Sequence, residues 1–178
     1  MRLKLLYSTL LCISGLAACR PDIHVSAGQK RYFDLAKFIH TDSARLSKAQ
    51  TAVLKTVVQN NSAPQTKRIK ITNWGQELNL FAASDINKPA WRDSYKIVKG
   101  GDSVVYTALQ QDLTTRRMVV YGTPGKVKKI SVDNFTKNML YQTTEHLVYY
   151  PDSLYEIDKL QKVRFIGSNR YLIIGKIK

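Results

Sequence analysis

The chain has 178 residues, 44% of them hydrophobic, with 28 Lys and Arg against 13 Asp and Glu and a formal net charge of +15. That length supports one hydrophobic core rather than two. A mean hydropathy of −0.26, with 10 Tyr, 5 Phe and 2 Trp beside only 5 Pro and 9 Gly, excludes a disordered, collagen-like or polytopic membrane chain.

The first element in chain order is an address. Arg2 and Lys4 precede the apolar run Leu5 to Ile13, and small residues follow, which is the charged, apolar, small order of an export signal. The run is too short to span a bilayer. Its ending, Leu16-Ala17-Ala18-Cys19, resembles the lipobox of bacterial lipoproteins. The resemblance implies that residues 1–18 are a lipoprotein signal peptide and that Cys19 is the lipidated first residue of a tether over 19–29. Two or three acyl chains hold a protein on a membrane stably where one holds it marginally. Cys12 would leave with the signal and the thiol of Cys19 would be blocked, so no disulfide, thiolate metal site or thiol nucleophile is expected. Arg20-Pro21-Asp22 after the lipid favours a domain facing the periplasm from the outer membrane.

A single α+β domain is expected over 30–178. Tyr32, Leu35, Ala36, Ile39 and Leu46, widened by Phe33 and Phe38, predict a helix over about 30–48. The β-branched stretch Thr51 to Gln59, the turn cluster Asn60 to Pro64 and the alternating Arg68 to Thr72 predict a hairpin. Asn73 is a helix cap with Gln76 three residues on, and Trp74, Leu78 and Phe81 recur on one face of a second helix. Pro89 closes its loop, which carries Trp91. From Tyr95 onward only strands are expected: Tyr95 to Lys99, Val104 to Leu109, Arg116 to Tyr121, Val127 to Val132, Leu140 to Tyr150, Tyr155 to Phe165 and Tyr171 to Ile177. Short breaks make successive strands antiparallel neighbours, hence a meander. The fold class is therefore two N-terminal helices packed on a curled antiparallel β-meander of about eight or nine strands.

The combination Tyr32-Phe33-Asp34-Leu35, Trp74 to Leu78 with Phe81, Asp85-Ile86-Asn87-Lys88-Pro89, Leu140-Tyr141 and Gln161-Lys162-Val163 resembles an uncharacterised bacterial envelope lipoprotein family. It implies anchor and architecture but supplies no reaction or ligand. The layout of helices over an antiparallel meander is also similar to that of the periplasmic carrier and outer-membrane receptor of lipoprotein localisation, a likeness of fold alone.

Chemistry is sparse. His24, His40 and His146 lack metal-ligand spacing, the glycine turns Gly100-Gly101 and Gly122 to Gly125 lack the context of a phosphate loop, and there is no nucleophile elbow. No cofactor, metal or catalytic residue is assigned. Glu77 and Asp85 are the carboxylates a hydrolase would use, although capping or solvation explains them as well. Glu145, Asp152, Glu156 and Asp158 read as turn and rim charges. Tyr141, Tyr149 and Tyr155 are candidates to line an apolar pocket over the covered face of the sheet, with Ile157, Val163, Tyr171 and Ile173, unless they simply fill it. Trp91 is a candidate partner anchor or lid. Basic residues run through both halves, so no nucleic-acid arm stands out; attraction to anionic bilayers competes with plain solvation as their meaning.

The expected function is a non-catalytic, lipid-anchored envelope domain binding a hydrophobic ligand or an envelope partner. A structural accessory lipoprotein of an outer-membrane complex is the alternative, and an envelope hydrolase the third. Cys19→Ser is expected to release the protein from the membrane fraction or to trap its precursor. Unchanged anchoring, with no lipid on the N-terminal peptide by mass spectrometry, would remove the lipoprotein assignment.

Overall fold

A computed structural model describes residues 30–123 and 125–178, so the expected signal peptide, Cys19 and the expected tether lie outside the described residues. The first helix, α1, spans Leu35–Ala49. It begins five residues later than the apolar spacing predicts, because Asp34 caps it: its Oδ1 accepts from the Lys37 amide at 3.0 Å. Tyr32 and Phe33 stand before the cap, and Tyr32 instead packs edge-on against Tyr95 and Tyr106. Gln50, in the left-handed region at φ 50°, ends the helix.

The hairpin is β1 (Ala52–Gln59) and β2 (Gln65–Lys70), turned by Asn60 at φ 52°. Asn73 caps as expected, accepting from the Gln76 amide at 3.0 Å. The second helix, however, is two short ones, α2 (Trp74–Glu77) and α3 (Asn79–Ala83), broken at Leu78. Trp74, Leu78 and Phe81 are nonetheless all fully buried. Their burial, about 1.5–3 kcal/mol for each such side chain, outweighs the cost of interrupting a helix already too short to be stable alone. A 3-10 turn, Pro89–Trp91, leads into the strands.

The remaining strands are β3 (Tyr95–Gly100), β4 (Ser103–Ala108), β5 (Thr115–Thr123), β6 (Lys126–Lys137), β7 (Tyr141–Tyr150), β8 (Leu154–Val163) and β9 (Gly167–Ile177). Successive members of this series pair antiparallel, as their short connections require. The whole is a nine-stranded antiparallel sheet with a few short helices, in the order β2-β1-β9-β8-β7-β6-β5-β4-β3. β2 and β3 are consecutive in the chain yet form the two opposite edges. The segment joining them must therefore cross the sheet, and this crossing lays α2 and α3 over one face. The path is marked by contacts: Glu77 meets Tyr155 of β8, Phe81 packs on Tyr149 of β7, and Thr115 of β5 donates to the Ser84 carbonyl at 3.1 Å.

The core lies between this face and the helices. One cross-strand row organises it: Val120, Ile130, Tyr149, Tyr155, Gly175 and Lys55 are consecutive register partners on β5, β6, β7, β8, β9 and β1. The Tyr155 ring lies over Gly175, where a Cβ would come within 2.1 Å of its ring carbons. Gly175 has room only for a hydrogen because its neighbour's ring occupies the space. Gly175→Ala is therefore expected to destabilise the domain by about 1–3 kcal/mol, as overpacking does. Urea denaturation checks this, and adding Tyr155→Leu should return much of the loss; independent, additive effects would show that the ring does not exclude the Cβ.

Candidate functional site

The row presents two tyrosine hydroxyls side by side to the helices, and each meets a carboxylate. Tyr149 donates to Asp42 of α1, and Tyr155 donates to Glu77 of α2 at 2.5 Å. Each carboxylate also holds a cation. Arg45 bonds Asp42 through Nε at 2.6 Å and reaches Asp152 in the β7–β8 turn, while Lys55 Nζ lies 2.6 Å from Glu77. Asp42 and Ser43 occupy the buried side of α1, among Leu35, Ile39 and Leu46. Ser43 donates across to the Trp74 carbonyl at 3.4 Å, and the Trp74 ring stands edge-on to Tyr155 at 6.3 Å.

Tyr149 and Tyr155 are thus fully buried and both hydroxyls are committed. The pocket expected over them is filled here by Trp74, Phe81 and the two hydrogen bonds. Tyr141 is not brought to the same place. It is eight residues along β7 from Tyr149, roughly 27 Å at strand rise, and is partly exposed at the far end of the sheet.

The gap in the covering layer lies beside the Tyr155–Glu77–Lys55 cluster. An open cleft of about 470 Å³ runs between the hairpin, α2 and the sheet. Its apolar lining is Ile69, Ile71, Leu80, Ile157 and Ile173; Lys55, Lys70, Thr72, Asn73 and Gln76 supply polar groups, and the Lys55–Glu77 pair forms part of its wall. Of the residues expected around a pocket, Ile157 and Ile173 are here. Trp91 does not line it. That side chain is half-buried near the β3 edge, tilted against Tyr95 at 6.3 Å with Lys88 Nζ 4.0 Å from its ring, so it is not a lid on this cleft.

The two hydrolase candidates serve different elements. Glu77 accepts from Tyr155 and Lys55. Asp85 covers the start of α1, its Oδ1 accepting from the Leu35 amide at 3.0 Å while Oδ2 accepts from Asn87 at 3.1 Å. Asn87 in turn accepts from the Tyr32 amide and donates to the Phe33 carbonyl at 2.9 Å, so Asp85-Ile86-Asn87 fastens the chain entering α1. Glu145 pairs with Lys159, Asp152 with Arg45 and Asp158 with Arg170. His146 bonds Asp133 at 2.6 Å on the sheet's other face, and no group of three His, Cys, Asp or Glu able to hold a metal occurs among the described residues. His24 lies outside them.

Asp42, Lys55 and Gly175 are absent from the sequence-based candidates. Asp42 left a signal: at the spacing Leu35, Ile39, Asp42, Leu46 it stands where the apolar stripe demands a hydrophobe. Lys55 and Gly175 left none, since their importance depends on which strands become neighbours. No family model, curated protein or solved structure matches the chain.

Burial first, then the hydrogen bond and charge of Asp42 or Glu77, pushes each tyrosine hydroxyl far above its ordinary value of 10.0. Above pH 10 the unfolded chain releases protons that the folded one retains, so ν_U is smaller than ν_N and stability falls with rising pH. The contribution is complete below the unfolded pKa and disappears as pH climbs toward the folded one. Tyr155→Phe and Tyr149→Phe are each expected to cost about 1.5–3 kcal/mol at neutral pH, as loss of a bond to a charged acceptor does. In stability measurements from about pH 9 to about pH 11 each should fall less steeply than the parent. Slopes equal to the parent's would show that neither hydroxyl is held protonated by the fold.

Proposed function

We propose that this chain is a non-catalytic, lipid-anchored protein of the bacterial cell envelope, facing the periplasm from the outer membrane, whose cleft beside Lys55 and Glu77 binds an amphipathic hydrophobic ligand. The observation behind this reading is the cleft: apolar side chains from the hairpin, α3 and the sheet surround a space of about 470 Å³ whose rim bears Lys55 and Lys70. That volume and that combination of apolar walls with a few polar groups suit a small ligand. Lys55 is paired with Glu77, so it is Lys70, in no ion pair among the described residues, that favours an acidic head on an apolar tail. Attachment rests on the lipobox-like Leu16-Ala17-Ala18-Cys19, and with it the kinship to envelope lipoproteins. No helix among the described residues is long and apolar enough to cross a membrane.

The accessory-subunit alternative relies on an exposed strand edge, and the edges are poorly suited to it. β2 is Gln-Thr-Lys-Arg-Ile-Lys, and β3 bears Lys96 and Lys99. Lysines on edge strands oppose pairing with another chain.

Titration of the purified chain with the fluorescent fatty acid cis-parinaric acid tests the cleft, with native mass spectrometry to find any ligand already aboard. Saturable enhancement is expected, weakened about tenfold or more by Ile71→Asp, since the substitution sets a charge against the ligand's apolar part. Trp91→Ala should leave it unchanged. Equal enhancement by the parent and Ile71→Asp, or none at all, would exclude the cleft as the binding site.

A further inference from the structure

Four strands outrun their neighbours at one end of the sheet. β5 pairs with β6 no further than Asn134, and β1 pairs with β9 no further than Tyr171. Pairing within β6–β7 continues to Lys137 and Gln142, and within β8–β9 to Val163 and Gly167. Two hairpin tips therefore project side by side, joined where the Arg164 amide donates to the Leu140 carbonyl at 2.8 Å.

Both tips are ordered turns that hold apolar side chains out in water. Asn138 Oδ1 accepts from the Leu140 and Tyr141 amides, each at 2.8 Å, which shapes the first turn. Met139 is 86% exposed and Leu140 69%; in the second turn Phe165 is 94% and Ile166 85%. Phe165 also lies in the left-handed region, at φ 68°. A bulky residue there is strained, and glycine or asparagine would relieve both strain and exposure. The fold has no use for this phenylalanine, and four large hydrophobes at one extremity are not the scattered exposure of an ordinary surface.

The charge around the tips has one sign. Residues 135–144 and 160–170 contain Lys137, Lys162, Arg164 and Arg170 and no Asp or Glu. Arg170 is engaged with Asp158. Lys137, Lys162 and Arg164 are exposed and form no ion pair among the described residues, and the Arg164 guanidinium sits 4.9 Å from the Phe165 ring. Apolar groups at the outermost positions with cations behind them follow the order of a bilayer interface, acyl region first and headgroup phosphates next. A second copy of the chain would set these cations against each other.

We propose that the paired tips form a membrane contact, inserting Met139, Leu140, Phe165 and Ile166 into the interface of an anionic bilayer while Lys137, Lys162 and Arg164 meet its phosphates. This contact is separate from the amino-terminal lipid and from the cleft, so it stands or falls by itself. Its role is to hold the domain in a defined orientation against a lipid surface.

The test uses the full chain with Phe165→Trp as a reporter, the parent chain supplying the background of Trp74 and Trp91. Vesicles of phosphatidylcholine alone are compared with vesicles containing phosphatidylglycerol, with and without brominated acyl chains. The introduced indole is expected to shift to the blue and to be quenched by bromine in the anionic vesicles. Leu140→Asp with Ile166→Asp should abolish both signals while leaving the thermal midpoint near that of the reporter chain. Lys137→Glu with Lys162→Glu should weaken the response more than about tenfold, given the attraction of each cation to an anionic surface. An indole that stays in water while the chain sediments with vesicles would overturn the proposal and assign membrane attachment to the amino terminus. A blue shift that depends on protein concentration without vesicles would overturn it in favour of self-association.

Discussion

Two neighbouring tyrosines on adjacent strands hold the covering layer to the sheet. Tyr149 and Tyr155 are register partners with parallel assignments, one hydroxyl to Asp42 on α1 and the other to Glu77 on α2. The hydrophobic effect alone gives helices a reason to cover a sheet but no particular position on it. A buried hydroxyl needs an acceptor, and a buried carboxylate needs donors, so each bond selects one placement among many of similar apolar burial. Arg45 and Lys55 complete the arrangement by giving each carboxylate a counter-charge. Gly175 belongs to the same constraint, since the Tyr155 ring cannot lie flat on β9 if its partner has a side chain.

The position of the cleft follows from that attachment. α2 and α3 cross from the β2 edge toward the β3 edge because the two edges are consecutive in the chain. They are pinned at Glu77 and again near Ser84, where Thr115 and Asn134 bond to it. Between the hairpin and the Glu77 pin the layer does not close, and Ile157 and Ile173 lie at the opening. Cleft and structural cluster thus share Lys55 and Glu77, so a group binding there meets charges already partly neutralised by one another. The projecting tips have the opposite character, because nothing in the fold covers their hydrophobes and no carboxylate within the turns balances their cations.

Much of the secondary structure was legible in the residues. Asn73 is recognised as a cap by local chemistry alone, whereas the Asp34 cap is masked by the apolar spacing of Tyr32 and Phe33, which extends the expected helix backward. The strands from Tyr95 onward follow alternation and short turns, both local signals. The break at Leu78 was invisible because Trp74, Leu78 and Phe81 satisfy helical spacing whether or not the helix is continuous. Strand parity puts Tyr149 and Tyr155 on the face that the helices bury, and puts Tyr141 on the same side of the sheet where the covering layer does not reach. Parity tells which side a residue faces and says nothing of what stands above it.

Taken alone, the sequence determined the class, the antiparallel meander and the Asn73 cap, because each depends on residues a few positions apart. It also contains Leu16-Ala17-Ala18-Cys19, whose resemblance to a lipobox is linear and needs no fold to be read. The tertiary structure decided that β1 would join β9, that Asp42 and Glu77 would receive the two tyrosine hydroxyls, and that a cleft would remain beside Lys55. It also decided that Met139, Leu140, Phe165 and Ile166 would gather at one extremity. These are choices among distant partners with similar local preferences, resolved only when burial, charge pairing and strand pairing are satisfied across the whole chain at once.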